Sequence, residues 1–141
     1  MKAEDILSEN KAIVRRFYEE VINKGDATVM DQIMASNFVE HNAPQENTGL
    51  EGFRQFLNMI ATAFPDIQVS IEDMLAEGDK VATRVVVKGT HQGPLMGNIP
   101  PTGKKAAWTG IDIFTIKDRK IVERWSQRDI QGLMSQLGLS S

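Results

Sequence analysis

The sequence predicts an α+β fold: a cone-shaped barrel in which three helices pack into the hollow of a strongly curved, mainly antiparallel sheet. Two observations predict it. Up to about residue 63 the apolar residues recur at helical spacing, and after Pro65 the period changes to two. Each helix carries a single apolar stripe, and a bent sheet is the surface able to cover three such stripes at once. The open end of a cone built in this way is a natural ligand cavity.

The chain has 141 residues, enough for a full hydrophobic core. Hydrophobic residues make 41% and charged residues 25%, which fits a soluble globular protein rather than a disordered one. A net charge of -3 argues against a nucleic-acid partner, since phosphate binding needs clustered Lys and Arg. The absence of cysteine excludes disulfides, thiolate nucleophiles and zinc–cysteine sites. Met1 to Asp5 is acidic and leads into an amphipathic stretch, so no secretory signal is expected. No apolar run approaches the roughly 20 residues a spanning helix needs. A cytoplasmic location without a membrane partner is therefore expected.

Residues 4 to 24 read as the first helix, with Ile6, Leu7, Ile13, Val14, Phe17, Tyr18, Val21 and Ile22 as its stripe. Gly25 suits the left-handed residue after a helix, and Asp26 suits the next N-cap. A short second helix turns Val29, Met30, Ile33 and Met34 inward. Phe38 to Asn42 reads as a short strand, and 43 to 49 as a polar loop. A third helix covers 50 to 63, with Leu50, Phe53, Phe56, Leu57 and Ile60 inward, and Pro65 ends it.

Strands are expected over 67 to 76 and 81 to 91, joined by a turn at Glu77-Gly78-Asp79-Lys80. A Gly/Pro-rich loop runs from 92 to 103. A long hairpin follows, with strands 105 to 116 and 121 to 129 and with Asp118 and Arg119 at the turn. A helical turn over 130 to 137 closes the chain. If that hairpin pairs without irregularity, Ile116 faces Ile121, Asp112 faces Trp125 and Trp108 faces Asp129. Trp108, Asp112, Phe114, Trp125, Gln127 and Asp129 then share one face. Aromatics mixed with carboxylates on one face suggest the wall of a pocket. Residues 81 to 87, and Thr109, Ile111 and Ile113, make the other face apolar as well. A homodimer through that outer face is expected.

Several stretches carry a resemblance to a known family. They are Val14-Arg15-Arg16-Phe17-Tyr18 with Asn23-Lys24-Gly25-Asp26; Gly89-Thr90-His91-Gln92-Gly93, then Gly97, then Pro101-Thr102-Gly103-Lys104; and Asp129-Ile130-Gln131-Gly132 with Gln136-Leu137-Gly138. Over nearly the whole chain, 1 to 141 as one domain, this resembles the SnoaL-like polyketide cyclase family of the nuclear transport factor 2-like superfamily. The resemblance implies a cone-shaped α+β barrel. It also implies an intramolecular aldol cyclisation, or a related isomerisation, of a hydrophobic carbonyl compound by acid/base chemistry, without cofactor or metal. The family's cyclases carry a His at the position of Asp112. Their essential acid aligns with Ser126, and a second acid aligns with Asp129.

The residues themselves leave two function classes open: a cofactor-independent enzyme, and a non-catalytic binder of a small apolar ligand. In the enzyme reading Asp129 is the general acid/base and Asp112 its electrostatic partner. Asp129 is otherwise an N-cap for the last helical turn, and Asp112 otherwise the partner of a buried arginine such as Arg84. Phe17, Phe56, Trp108, Phe114 and Trp125 are expected to wall the pocket, with His41, His91 and Gln127 also lining it. No pair of side chains has metal-ligand spacing, so no metal is expected.

Overall fold

The computed structural model describes residues 2–44 and 48–139. Its order is α1 (Ala3–Arg16), a π-helical turn (Phe17–Ile22), α2 (Ala27–Ile33), β1 (Met34–Glu40), α3 (Leu50–Ala63), β2 (Gln68–Glu77), β3 (Lys80–Thr90), β4 (Lys105–Lys117), β5 (Lys120–Arg128) and α4 (Ile130–Gln136). The strands form one curled sheet in the order β1-β5-β4-β3-β2, antiparallel except for the β1–β5 pair. Among the described residues no helix is long and apolar enough to cross a membrane.

The expected helices are present. The first changes character at Phe17, where six residues take π-helical form and Asn23 N–H bonds back to Tyr18 O at 2.9 Å. The Asp26 carboxylate caps α2, accepting from Thr28 N at 3.0 Å and Val29 N at 3.2 Å. The strand expected from Phe38 begins earlier, at Met34, and ends at Glu40. The chain leaves α2 directly in extended conformation there (φ -112°, ψ 134°) and pairs Met34 with Ile121. Of the loop expected over 43 to 49, residues 45 to 47 lie outside the described residues.

The core sits between the helices and the concave sheet face. Phe17, Tyr18, Phe38, Phe53, Phe64, Phe114 and Trp108 are all buried in it. Phe56 departs from its expected place. It is 47% exposed, at the solvent edge of α3, with its ring 6.1 Å from that of Phe53.

The Gly/Pro-rich loop folds back on α3, with Gln92 N–H and Gly93 N–H both bonded to Ala63 O. A Cβ on Gly93 would stand 2.0 Å from Thr62 O, so only glycine lets the two backbones approach.

The β4–β5 hairpin turns on Asp118 (φ 51°) and Arg119 (φ 64°), as expected. Two left-handed residues make the tight turn that matches strand twist, a geometry that favours glycine at the second position. Arg119→Gly should therefore raise the unfolding free energy by about 1 kcal/mol. Urea denaturation checks this, and no change or a loss would contradict it. The Arg119–Glu9 ion pair is too exposed, 75% at the Arg119 side chain, for its loss to reverse the sign.

The hairpin register differs from the unbroken ladder in one decisive way. Ile116 does pair with Ile121, but Thr115 pairs with Glu123, leaving Val122 as an extra residue on β5. Such a bulge moves every following residue by one position, and a one-position slip exchanges the faces. Asp112 consequently faces Ser126, Phe114 faces Arg124, and Gly110 faces Arg128. Trp125 and Gln127 go to the outer face, opposite Ile113 and Ile111.

Candidate functional site

The bulge gathers charge on the inner face. Asp112 is fully buried and accepts hydrogen bonds from three side chains. Arg128 Nη1 donates to Oδ1 at 2.7 Å and Arg128 Nη2 to Oδ2 at 3.0 Å. Arg124 Nη2 donates to Oδ2 at 3.2 Å, and the Tyr18 hydroxyl donates to the same oxygen. With the Tyr18 proton committed to Asp112, the Thr83 hydroxyl, 2.7 Å from the Tyr18 oxygen, is left to donate to it. Arg124 Nη1 donates to Glu40, which is also buried. Its guanidinium lies 5.2 Å from the Phe17 ring centre, 5.5 Å from Phe53 and 5.7 Å from Phe114, so three rings surround the cation.

Burial alone would raise the Asp112 pKa. The charge of Arg124, the hydrogen bonds and charge of Arg128 and the Tyr18 hydroxyl outweigh it and hold Asp112 well below the usual carboxylate range. Burial, followed by the Asp112 charge, drives the Tyr18 phenol far above its ordinary value. Burial also opposes the charge on Arg124, but Asp112 and Glu40 keep it protonated. The network is thus a fixed array: an ionised carboxylate between two guanidinium ions.

Arg128 differs from Arg124 in access. Its side chain is 18% exposed, against 6% for Arg124. The guanidinium lies across Gly110, where a Cβ would meet Nη1 at 2.2 Å and Cδ at 2.6 Å. A guanidinium has five N–H donors. Asp112 takes one from each Nη, and Gln127 O lies 3.2 Å from Nη1. Nε–H and the second Nη2–H have no partner among the described residues.

The side chains expected to form the site divide into three groups. Asp112, Phe114, Phe17 and Trp108 are on the inner face, but they fill it. Phe17 and Phe114 are completely buried with rings 5.2 Å apart, and Trp108 packs on Phe64 at 4.9 Å. The apolar hollow they were expected to wall is occupied by their own side chains and by Tyr18, Phe53 and Arg124. Trp125, Gln127 and His41 lie outside. The His41 ring stacks on Trp125 at 4.4 Å and 9°, and its Nε2 is 2.9 Å from Glu123.

Asp129 lies past the end of β5, exposed, and its carboxylate caps α4 by accepting from Gly132 N at 2.9 Å. Its own N–H bonds Thr109 O, so it does not sit opposite Trp108. His91 is buried and organises the loop. Its Nδ1 accepts from Thr102 N–H at 3.2 Å, while its backbone bonds Gly103 and Lys104. Arg84 ion-pairs with Asp73 in the open, at 2.6 Å, and not with Asp112. Among the described residues no three His, Asp or Glu side chains are grouped as a metal ion would need.

Tyr18, Glu40, Thr83, Arg124 and Arg128 were not expected at the site. One signal could have found two of them. Arg124 and Arg128 are four apart on a strand and share a face, and a buried Asp112 requires a cation. The bulge at Val122 is what brings the two facts together.

A family model of SnoaL-like polyketide cyclases matches residues 12–137. No curated protein matches. Among solved structures, the chain resembles TsrD from Streptomyces laurentii at 29% identity and a TM-score of 0.85, over 94% of this chain and 97% of that one. A candidate polyketide cyclase from Bacillus cereus shares 33% identity at a TM-score of 0.80, over 94% and 83%. AclR, a candidate hydroxylase from Streptomyces galilaeus, shares 28% at 0.81, over 94% and 82%. With the curled sheet, the helices on its concave face and a family match over residues 12–137, the chain belongs to the SnoaL-like polyketide cyclase family.

Proposed function

We propose that the chain acts on a small carbonyl compound of the 1,3-dicarbonyl type, stabilising its enolate at Arg128 and so promoting aldol-type cyclisation. The observation that carries this is the pair of unused, accessible N–H donors on a guanidinium already fixed in place by Asp112. A methylene between two carbonyls ionises about as readily as a phenol. The methylene proton passes to solvent water. The enolate carbon bonds the second carbonyl carbon as that C=O π bond opens, and the resulting alkoxide takes a proton back from water. A preorganised cation at the developing oxyanion lowers the cost of the first step. Asp112 is held ionised and enclosed by donors. Its part is to orient Arg128 and not to carry a proton. In this reading acid/base work by an inner carboxylate gives way to electrostatic stabilisation. Ser126, opposite Asp112 where the family's cyclases have their acid, fits that change.

The test uses 1-phenyl-1,3-butanedione, whose enolate has its own ultraviolet band. Wild-type protein should lower the apparent pKa of the bound diketone by at least about one unit, a tenfold preference for the anion. An unshifted titration would reject the proposal. The alternative is a binder without chemistry, which the filled interior does not favour over the enolate reading. It predicts saturable binding of neutral aromatic compounds with no preference for an enolate.

We also propose that the protein pairs with a second copy through the outer sheet face. Leu75 (71% exposed), Ile111 (58%), Ile113 (39%) and Trp125 (36%) lie there, and no helix among the described residues covers them. A stable interface buries roughly 800 Å² per partner. Sedimentation should show a dimer at micromolar concentration, and Ile113→Lys should weaken it roughly thirtyfold or more. A wild-type monomer would contradict this.

A further inference from the structure

A cleft of about 500 Å³ opens far from the Asp112 network, between the first turns of α1 and the tips of the β2–β3 and β4–β5 hairpins. Its walls are Ala3, Ile6, Leu7 and Ile116, and Glu9, Asp79, Asp118 and Arg119 also line it. Ile116 is four residues from Asp112 along β4, or roughly 13 Å at the usual rise. Between the two lie Phe114 on the strand and Val14 on α1, both fully buried. The cleft and the charged network are therefore separate places in the molecule.

Asn10 is the polar residue on the inner side of this cleft. It lines the cleft and is 94% buried (6% exposed), yet its side-chain amide has no hydrogen-bond partner among the described residues. Among the described residues the sealed side-chain atoms without a partner are Glu40 Oε2, His91 Nε2 and Arg124 Nε. The Asn10 amide is not one of them, so it stays open to solvent through the cleft and is free to meet a ligand there. It lies one helical turn before Val14, so it faces the interior side of α1 and meets the floor of the cleft. Around it the charges are unequal. Glu9, Asp79 and Asp118 stand against Arg119 alone, and Arg119 is bound to Glu9 at 2.7 Å. That balance disfavours an anion.

We propose that this cleft is a second small-molecule site, taking an uncharged apolar compound whose single phenol- or amide-like head hydrogen-bonds the Asn10 amide. Apolar walls supply contact, and one amide, able both to donate and to accept, fixes the head. The site is independent of the enolate reading at Arg128 and stands or falls separately.

The experiment compares 2-naphthol, naphthalene and 2-naphthoate by fluorescence titration. Wild-type protein should bind 2-naphthol saturably, and 2-naphthoate more weakly because of the acidic rim. Asn10→Leu keeps the volume and removes the amide. It should weaken 2-naphthol roughly five- to tenfold, the worth of one hydrogen bond, and leave naphthalene unchanged. The same variant should leave the diketone titration at Arg128 as in wild type. If Asn10→Leu does not fold, Ala3→Phe, at an exposed wall position, carries the test: it should narrow the cleft and weaken 2-naphthol binding. Absence of saturable binding to wild type would overturn the proposal. So would equal losses for 2-naphthol and naphthalene in Asn10→Leu, or unchanged 2-naphthol binding in Ala3→Phe.

Discussion

Asp112→Asn is expected to lower the unfolding free energy by about 3 kcal/mol or more at pH 7. The variant keeps the shape of the side chain and removes the charge that both Arg124 and Arg128 face. Breaking a buried ion pair from one side costs about 3–5 kcal/mol, because the partner remains buried without its counter-charge. Arg124 retains Glu40, which places the expected loss at the lower end.

The pH dependence has a definite sign. The folded pKa of Asp112 lies below the ordinary value of about 3.9, so its contribution is complete above that value. It is lost as pH falls from about 4 toward the folded pKa. The stability gap between wild type and Asp112→Asn should therefore be constant through neutrality and narrow below about pH 4. Urea denaturation at pH 7 and pH 3 measures it. A gap of under 1 kcal/mol at pH 7, or one that widens in acid, would contradict the account.

Arg128→Met should reduce the affinity for the diketone enolate roughly 10²–10³-fold, the usual worth of an oxyanion donor in an organised site. Neutral aromatic compounds that do not use Arg128 should bind as before. Stability should fall less than in Asp112→Asn, because Asp112 keeps Arg124 and Tyr18 as donors. Arg128→Lys would restore the charge without the fork that reaches both Asp112 oxygens, so only partial recovery is expected. Gly110→Ala gives an independent check. The added methyl would displace the guanidinium from its place across residue 110, and it should weaken enolate binding with Arg128 still present.

Much of the fold could be read from the chain because local patterns agree with the global structure. The helices over residues 50 to 63 and 6 to 22, the cap at Asp26 and the turn at Asp118-Arg119 appear where their chemistry places them, though Ile6 and Phe56, expected inward, are exposed. The site was much less legible, for one physical reason. Side-chain direction in a strand has a period of two, so a single unpaired residue reverses everything after it. Val122 is that residue, and nothing in Lys120-Ile121-Val122-Glu123 marks a bulge. Trp125, Gln127 and Asp129 were thereby assigned inward, and Arg124 and Arg128 outward.

An acid among Ile111, Ile113 and Phe114 needs a reason to be there, and for Asp112 the structure supplies the alternative reading, a buried carboxylate paired with arginines. Its partner was sought at Arg84, on the wrong face. Phe56 shows the companion limit on a helix: a residue at the margin of a stripe can fall on either side of the solvent boundary.

In the proposed reading Arg128, oriented by Asp112, receives the oxyanion. The most direct test is a crystal structure with 1-phenyl-1,3-butanedione bound. An enolate oxygen is expected roughly 2.7–3.2 Å from Arg128 Nε or Nη2, with the Arg128–Asp112 pair intact. A diketone bound elsewhere with Arg128 untouched, or a guanidinium that leaves Asp112 on binding, would contradict it.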